Sequence, residues 1–217
     1  MSVNGPERVW LVAVDDDPTG CQSVSGVPLL TAWDDETLDL VAQDLPPVTF
    51  ILTNSRAMSE VEAVKVNSEV GAALSRAASR HQLRLRLISR SDSTLRGHYP
   101  AEVVALVEAA DLNCDAIAIC PAFFEARRFT ADGIQWVGVG PELIPACETE
   151  FARDATFGFT ELRIADWARS RGAPAEVIDI SLDELSDADL DHIADRLLQA
   201  RDMQAVVVNA MNYEHLR

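Results

Sequence analysis

The feature that most limits what this chain can fold into is a series of short, nearly unbroken apolar runs: VWLVAV (9–14), VTFILT (48–53), LRLRLIS (83–89), AIAIC (116–120), AEVIDI (175–180) and AVVVNA (205–210). A strand with one face in water alternates polar and apolar side chains. Several of these runs do not, so they read as strands buried on both faces of a parallel sheet. The stretches between them carry helical spacing. SEVEAVKVNSEVGAALSRAASR (59–80) sets Val61, Val64, Ala72, Leu74 and Ala78 roughly on one stripe and opens with a serine ahead of glutamates, a helix start. PAEVVALVEAA (100–110) begins with a proline at a tolerated first-turn position. SDADLDHIADRLLQA (186–200) lines up Leu190, Ile193, Leu197 and Leu198 behind an acidic start.

Strands alternating with helices predict an α/β chain. The expectation is a single three-layer domain over 1–217, with a mainly parallel central sheet and helices on both faces. The segment 129–158 breaks the rhythm: FTADGIQWVGVGPELIP has DG and GP turn signals amid short apolar runs, which predicts a β-hairpin insertion. The end, AVVVNAMNYEHLR, reads as a strand, a loop and the first turn of another helix. One helical turn is barely stable alone, so either the chain is truncated or a partner half lies elsewhere.

Each of four strand ends runs into a polar cluster. VWLVAV ends in Asp15, Asp16 and Asp17, followed by Pro18, Thr19 and Gly20. Ligands of open parallel sheets gather beyond the carboxyl ends of the strands. Carboxylates there suit a cation or the proton of a substrate hydroxyl; an acidic turn capping the next helix is the plainer alternative. TNSRAMS (53–59) offers Asn54, Ser55 and Arg56, whose guanidinium fork suits a carboxylate or phosphate. SRSDSTLRGHYPAE (89–102) crowds Arg90, Asp92, Ser93, Thr94, Arg96 and Gly97 before a helix, and CPAFFEARRFTADG (120–133) brings Glu125, Arg127, Arg128, Thr130 and Asp132. Four such clusters on one sheet edge describe a pocket for a small, hydroxylated anion.

Composition narrows the alternatives. The chain has 18 Lys and Arg against 35 Asp and Glu, a formal net charge of −17, and no basic cluster of the kind a phosphate backbone requires. Nucleic acid is therefore not an expected partner. The four cysteines, Cys21, Cys114, Cys120 and Cys147, form no CxxC pair and the histidines are scattered, so no structural metal is expected. The N-terminus has no apolar core of signal-peptide length and no run reaches a membrane-spanning length, so a cytoplasmic protein is expected. There is no GxGxxG, no GxxxxGK[ST] and no GxSxG.

Taken in order and spacing, DDDPTG, TNSRA, SRSDSTLRG and PAFFEARRFTADG resemble the N-terminal domain of the four-carbon acid sugar kinases, the threonate and erythronate kinases among them. The resemblance runs from Val9 to about Ala210, and DSTLRG (92–97) is its most specific part. It implies an α/β half that binds the sugar acid, a separate C-terminal half holding the glycine-rich ATP site, and phosphorylation of a terminal hydroxyl. ATP and Mg²⁺ are implied for the complete enzyme, neither bound by this half alone. By position it implies Asp16 and Asp17 as the catalytic pair that orients or deprotonates the hydroxyl. Asn54, Ser55, Arg56, Arg90, Asp92, Ser93, Arg96, Gly97, Arg128 and Thr130 are implied as substrate-binding, with Arg56 and Arg96 on the carboxylate. The implied partners are the sugar acid and the ATP-binding half, and self-association is left open. Pro18 and Cys21 stand where the family usually has leucine and alanine, Arg90 where it has lysine, and Phe124 and Arg127 where it has proline and glycine. Two other readings stay open here: a sugar-acid sensing module without turnover, and a Mg²⁺-dependent hydrolase built on the aspartates.

Overall fold

The computed structural model describes residues 8–20, 24–174, 176–186 and 190–217. Its internal contacts divide the chain into two compact units, Met1–Ser91 with Gly97–Asn113, and Asp92–Arg96 with Cys114–Arg217.

The first unit contains, in order, β1 (Val9–Asp15), β2 (Leu29–Leu30), α1 (Asp35–Asp44), β3 (Thr49–Leu52), α2 (Glu60–His81), β4 (Arg84–Arg90) and α3 (Ala101–Ala109). The strands form one parallel sheet in the order β2-β3-β1-β4. Side chains alternate across a strand, and in β1 this turns Trp10, Val12 and Val14 to one side. There they share a core with Ile51 of β3, Leu38 and Ala42 of α1, Val70, Leu74 and Ala77 of α2, and Leu106 of α3. All three helices thus draw their core residues to the same face of β1. Burying each large apolar side chain contributes roughly 1.5–3 kcal/mol. The Trp10 indole N–H is satisfied inside this core by Thr49 Oγ1 at 3.0 Å.

Local signals explain the helix ends. Asp34 caps α1 by accepting from the Thr37 amide at 3.0 Å, and the helix closes at Leu45 in the left-handed region. Ser59 and Glu62 form a reciprocal capping box on α2, which closes at Gln82, again left-handed. The buried stripe of α2 includes Ala63, Asn67, Val70, Leu74, Ala77 and Ala78; of the expected stripe Leu74 and Ala78 lie in it, whereas Val61 is 80% exposed. Small residues decide this. A Cβ on Gly71 would stand 2.5 Å from the Leu106 carbonyl oxygen, so α2 and α3 pack closely along the Ala/Gly face.

The second unit contains β5 (Ala116–Ile119), β6 (Arg128–Ala131), β7 (Ile134–Val139), β8 (Glu142–Pro145), α4 (Ile164–Ser170), β9 (Ile178–Ile180), α5 (Leu182–Ser186), α6 (Leu190–Leu198) and β10 (Gln204–Val208). Here a second parallel sheet runs β5-β10-β9 and a separate antiparallel sheet runs β6-β7-β8. The expected strands are therefore parallel and their bounds follow the apolar runs, AEVIDI by its second half alone, but they are shared between two sheets of four and three strands. The expected hairpin is this three-stranded antiparallel sheet. Its first turn is Asp132-Gly133, with φ of 55° and 69°, the pair of positive values a two-residue type I′ turn requires. Paired amide bonds between Thr130 and Ala210, each 2.9 Å, tie β6 to the residues after β10.

The expected helix over 186–200 is met by α6, with 187–189 outside the described residues, and α5 before it was not expected. Its leucine stripe is largely at the surface, with Leu190 69% and Leu198 72% exposed. A polar anchor holds α6 in its place: Arg196 pairs with Glu184 and donates to the Asp179 carbonyl at 3.0 Å. Among the described residues no helix is long and apolar enough to cross a membrane.

Candidate functional site

Parallel register brings two of the four motifs and the two ends of a third together in the first unit. Asp15, the last residue of β1, lies beside Leu52 of β3 and Arg90 of β4. The chain therefore leaves all three strands at one edge, and the ladder continues past them. The Thr53 amide donates to the Asp15 carbonyl (2.9 Å), the Asp16 amide to that of Arg90 (3.2 Å), and the Arg56 amide to that of Asp16 (3.1 Å).

Three carboxylates and two guanidiniums meet on this edge. Asp15 is 1% exposed, and its Oδ2 accepts from Arg90 Nη1 at 3.1 Å. Asp16 is 3% exposed, and both of its oxygens are taken by the Arg56 fork, Nε at 3.0 Å and Nη2 at 2.5 Å. Asp17 is half-buried. Its Oδ1 accepts from the Thr19 amide (2.8 Å) and hydroxyl, while its Oδ2 lies 3.5 Å from Arg56 Nη1. Burial pushes the Asp16 carboxyl up to about 6, with Arg56 pulling the other way. Burial also raises Asp15, against the opposing pull of Arg90.

Two glycines make room for this array. A Cβ on Gly20 would fall 1.8 Å from Arg90 Nη1 and 2.2 Å from Asp15 Oδ2, so the final residue of DDDPTG has to lack a side chain. Gly97, the last residue of DSTLRG, has φ +145°, and a Cβ there would meet Ser91 Oγ at 2.3 Å and Asp16 Oδ2 at 3.3 Å. Asn54 takes the left-handed φ of 56° that asparagine tolerates, is exposed, and starts the short 3-10 turn carrying Arg56. Ser55 is fully buried, its hydroxyl 3.0 Å from that of Thr53.

The remaining predicted residues gather in the second unit. Asp92–Arg96 is a tight loop in which Leu95 takes φ 66° and Asp92 Oδ2 accepts from the Thr94 hydroxyl and from Arg96 Nε at 2.7 Å. Arg96 Nη1 is 3.7 Å from Asp154, whose carboxyl is held low by the Phe157 and Thr156 amides. The Arg96 guanidinium lies 5.0 Å from the Phe151 ring centroid and that of Arg128 lies 5.1 Å from the same ring. Thr130 is fully buried, and its hydroxyl donates to Gln135 Oε1 at 2.8 Å. Arg127, where the family motif has glycine, sits at φ 54°, the left-handed region that glycine enters without strain.

Gln135, Phe151 and Asp154 were not singled out from the sequence. Gln135, 1% exposed, donates to the carbonyls of Ser93 (2.9 Å) and Pro121 (2.8 Å), so one buried amide fixes the DSTLRG loop to the start of PAFFEARR. Its signal in the sequence was a polar residue inside the apolar run IQWVGV. Phe151 and Asp154 gave none, because each acts through partners far away in the chain.

Comparison with known proteins gives three findings. The family model described as "sugar-binding N-terminal domain" matches residues 11–217. No curated protein matches the chain. Among solved structures, a Bordetella bronchiseptica protein of a domain family of unknown function (DUF1537), a domain-swapped dimer with bound citrate, is similar at TM-score 0.70 and 24% identity, over 95% of this chain and 48% of its own. A Haemophilus influenzae protein of the same family is similar at TM-score 0.66 and 14% identity, over 94% of this chain and 49% of its own. The chain thus spans about half the length of these solved relatives.

Proposed function

The chain belongs to the family of sugar-binding N-terminal domains, and from that premise we propose that it is the substrate-binding half of a kinase that phosphorylates a terminal hydroxyl of a four-carbon sugar acid such as threonate or erythronate. The observation that carries this reading is the division of labour among the aspartates after β1. Asp16 is sealed against Arg56 and serves as a positioning residue. Asp17 keeps 26% of its side chain open beside that pair, with one oxygen oriented by Thr19. A half-open carboxylate with a fixed lone pair suits the recognition of a sugar hydroxyl and the acceptance of its proton.

The bound citrate of the Bordetella relative supports a small polyoxygenated acid as the class of ligand. ATP and Mg²⁺ do not fit this chain's own residues. The sequence has no phosphate-cradling glycine loop, and among the described residues no group of three His, Cys, Asp or Glu side chains is placed to hold a metal ion, the carboxylates after β1 being turned onto Arg56 and Arg90. Both belong, in this reading, to an ATP-binding half, and the part of this chain is to orient the hydroxyl and receive its proton. A cytoplasmic setting, where sugar acid and ATP meet, is part of the same proposal.

The test is turnover in a protein that joins this domain to its ATP-binding half. With the cognate tetronate, D17N is expected to lower kcat by about 10²–10⁴-fold, the usual worth of a general base, and to leave substrate affinity nearly unchanged. ATP consumption that no tetronate stimulates, or a D17N variant with undiminished kcat, would contradict the assignment.

A further inference from the structure

The arginines at the motif edges differ in what already occupies them. In the first unit Arg56 is matched by Asp16 and Asp17, and Arg90 by the buried Asp15. Three carboxylates face two guanidiniums there, so that edge does not attract an anion. In the second unit Arg96 is matched by Asp92 and Asp154.

Arg128 differs from all three. Among the described residues no carboxylate comes within ion-pair distance of it. Its Nη1 donates to the Ala126 carbonyl at 2.7 Å, and among the described residues Nε and Nη2 meet no acceptor. Other arginines of this unit also donate to carbonyls, but Arg127 and Arg163 are exposed, and Arg171 turns one nitrogen onto two carbonyls, those of Phe157 and Gly158. Arg128 is half-buried, its guanidinium carbon lies over the Phe151 ring, and the Arg96 cation shares that ring. Partial burial and the neighbouring positive charge of Arg96 both work against its charge, with only Asp92 in opposition.

We infer that Arg128 is the oxyanion receptor of the second unit: the unoccupied edge of its guanidinium, backed by Phe151 and Ala126, takes the carboxylate of a small hydroxy acid. An incoming carboxylate would supply the missing acceptors in the parallel two-bond geometry that guanidinium favours, and would offset the desolvated charge. The acid group is thereby assigned to Arg128 in place of Arg56 and Arg96, to which the resemblance had given it. That the carboxylate belongs to a sugar acid rests on the function proposed above. A phosphate presents the same chemistry from another source.

Calorimetric titration of the chain with threonate and erythronate stereoisomers, and in a separate arm with inorganic phosphate, tests the assignment on wild type, R128K and R128Q. The expected result is that R128Q weakens tetronate binding by about 10- to 100-fold, the worth of a lost charged hydrogen bond, with R128K between the two. The unliganded melting temperature of R128Q should stay close to wild type, because no protein carboxylate is stranded. Should R128Q not fold, R128K, which keeps the charge and loses the fork, carries the comparison. Tetronate binding unchanged in both variants overturns the inference while leaving the proposed function intact. Phosphate binding that depends on Arg128, without tetronate binding, keeps the receptor and overturns the sugar-acid reading. Binding of neither anion to wild type overturns both.

Discussion

Asp16 is the residue whose chemistry reports most directly on the site. Its carboxyl is pushed up to about 6 by burial, from an ordinary value of 3.8, so between these two pH values the folded chain holds a proton that the unfolded chain has released. Stability contributed by this group therefore falls as pH rises through that window, and the cost persists above it, by up to about 3 kcal/mol for a shift of this size. Chemical denaturation between pH 4 and pH 8 should show this falling component in wild type and lack it in D16N; parallel curves for the two proteins would contradict the assignment. Gly20 yields a second prediction at this scale. Alanine there must displace Arg90 from Asp15, and G20A should lose about 1–3 kcal/mol of stability in the same assay. A neutral G20A would mean that the Asp15–Arg90 pair is not packed against that backbone. That Asp16, Asp17 and Arg56 come together was legible, because polar residues crowd where apolar runs end. That Asp16 is sealed and Asp17 half-open was not legible, since burial depends on partners contributed by β3, β4 and Gly97.

At the scale of elements, α2 depends on its first turn. Ser59 and Glu62 cap the helix immediately after the 3-10 turn that carries Arg56. Loss of the cap in S59A should cost about 1 kcal/mol, read as an earlier urea midpoint with an unchanged slope. In the second unit the critical connection is Gln135 of β7. Q135L would leave the Ser93 and Pro121 carbonyls without their donor inside the protein, at about 1–3 kcal/mol for each group left unsatisfied. It should also raise amide exchange across Asp92–Arg96, and unaltered exchange there would show that the loop does not depend on this side chain. Strands and long helices were readable from periodicity and caps. The helices α1, α4 and α5 were not, although α1 is no shorter than α3, and the stripe of α2 was placed only in part, at Leu74 and Ala78, because small residues mark much of its packed face. The leucines of α6 were expected in a core, yet Arg196 anchors the helix.

At the scale of the whole molecule, an α/β chain with parallel strands and an antiparallel insertion was legible, because the apolar runs and DG turn require little else. The division of those strands between two sheets was not. Nothing in AIAIC or AVVVNA states which strand it will pair with, and β5 and β10 join across most of the second unit's sequence. The loop DSTLRG shows the same limit within six residues: Asp92–Arg96 packs with one unit and Gly97 with the other. A net charge of −17 makes the few arginines at the motif edges the informative ones: Arg56, Arg90 and Arg96 are matched by carboxylates, and among the described residues the half-buried Arg128 is not. The central claim is that this chain recognises a small hydroxylated acid. Its most direct test is a calorimetric titration near neutral pH with each stereoisomer of threonate and erythronate, set against the uncharged four-carbon polyol. Saturable one-site binding of at least one acid, with the polyol far weaker, is the predicted result. No heat from any isomer, or equal affinity for acid and polyol, would contradict it.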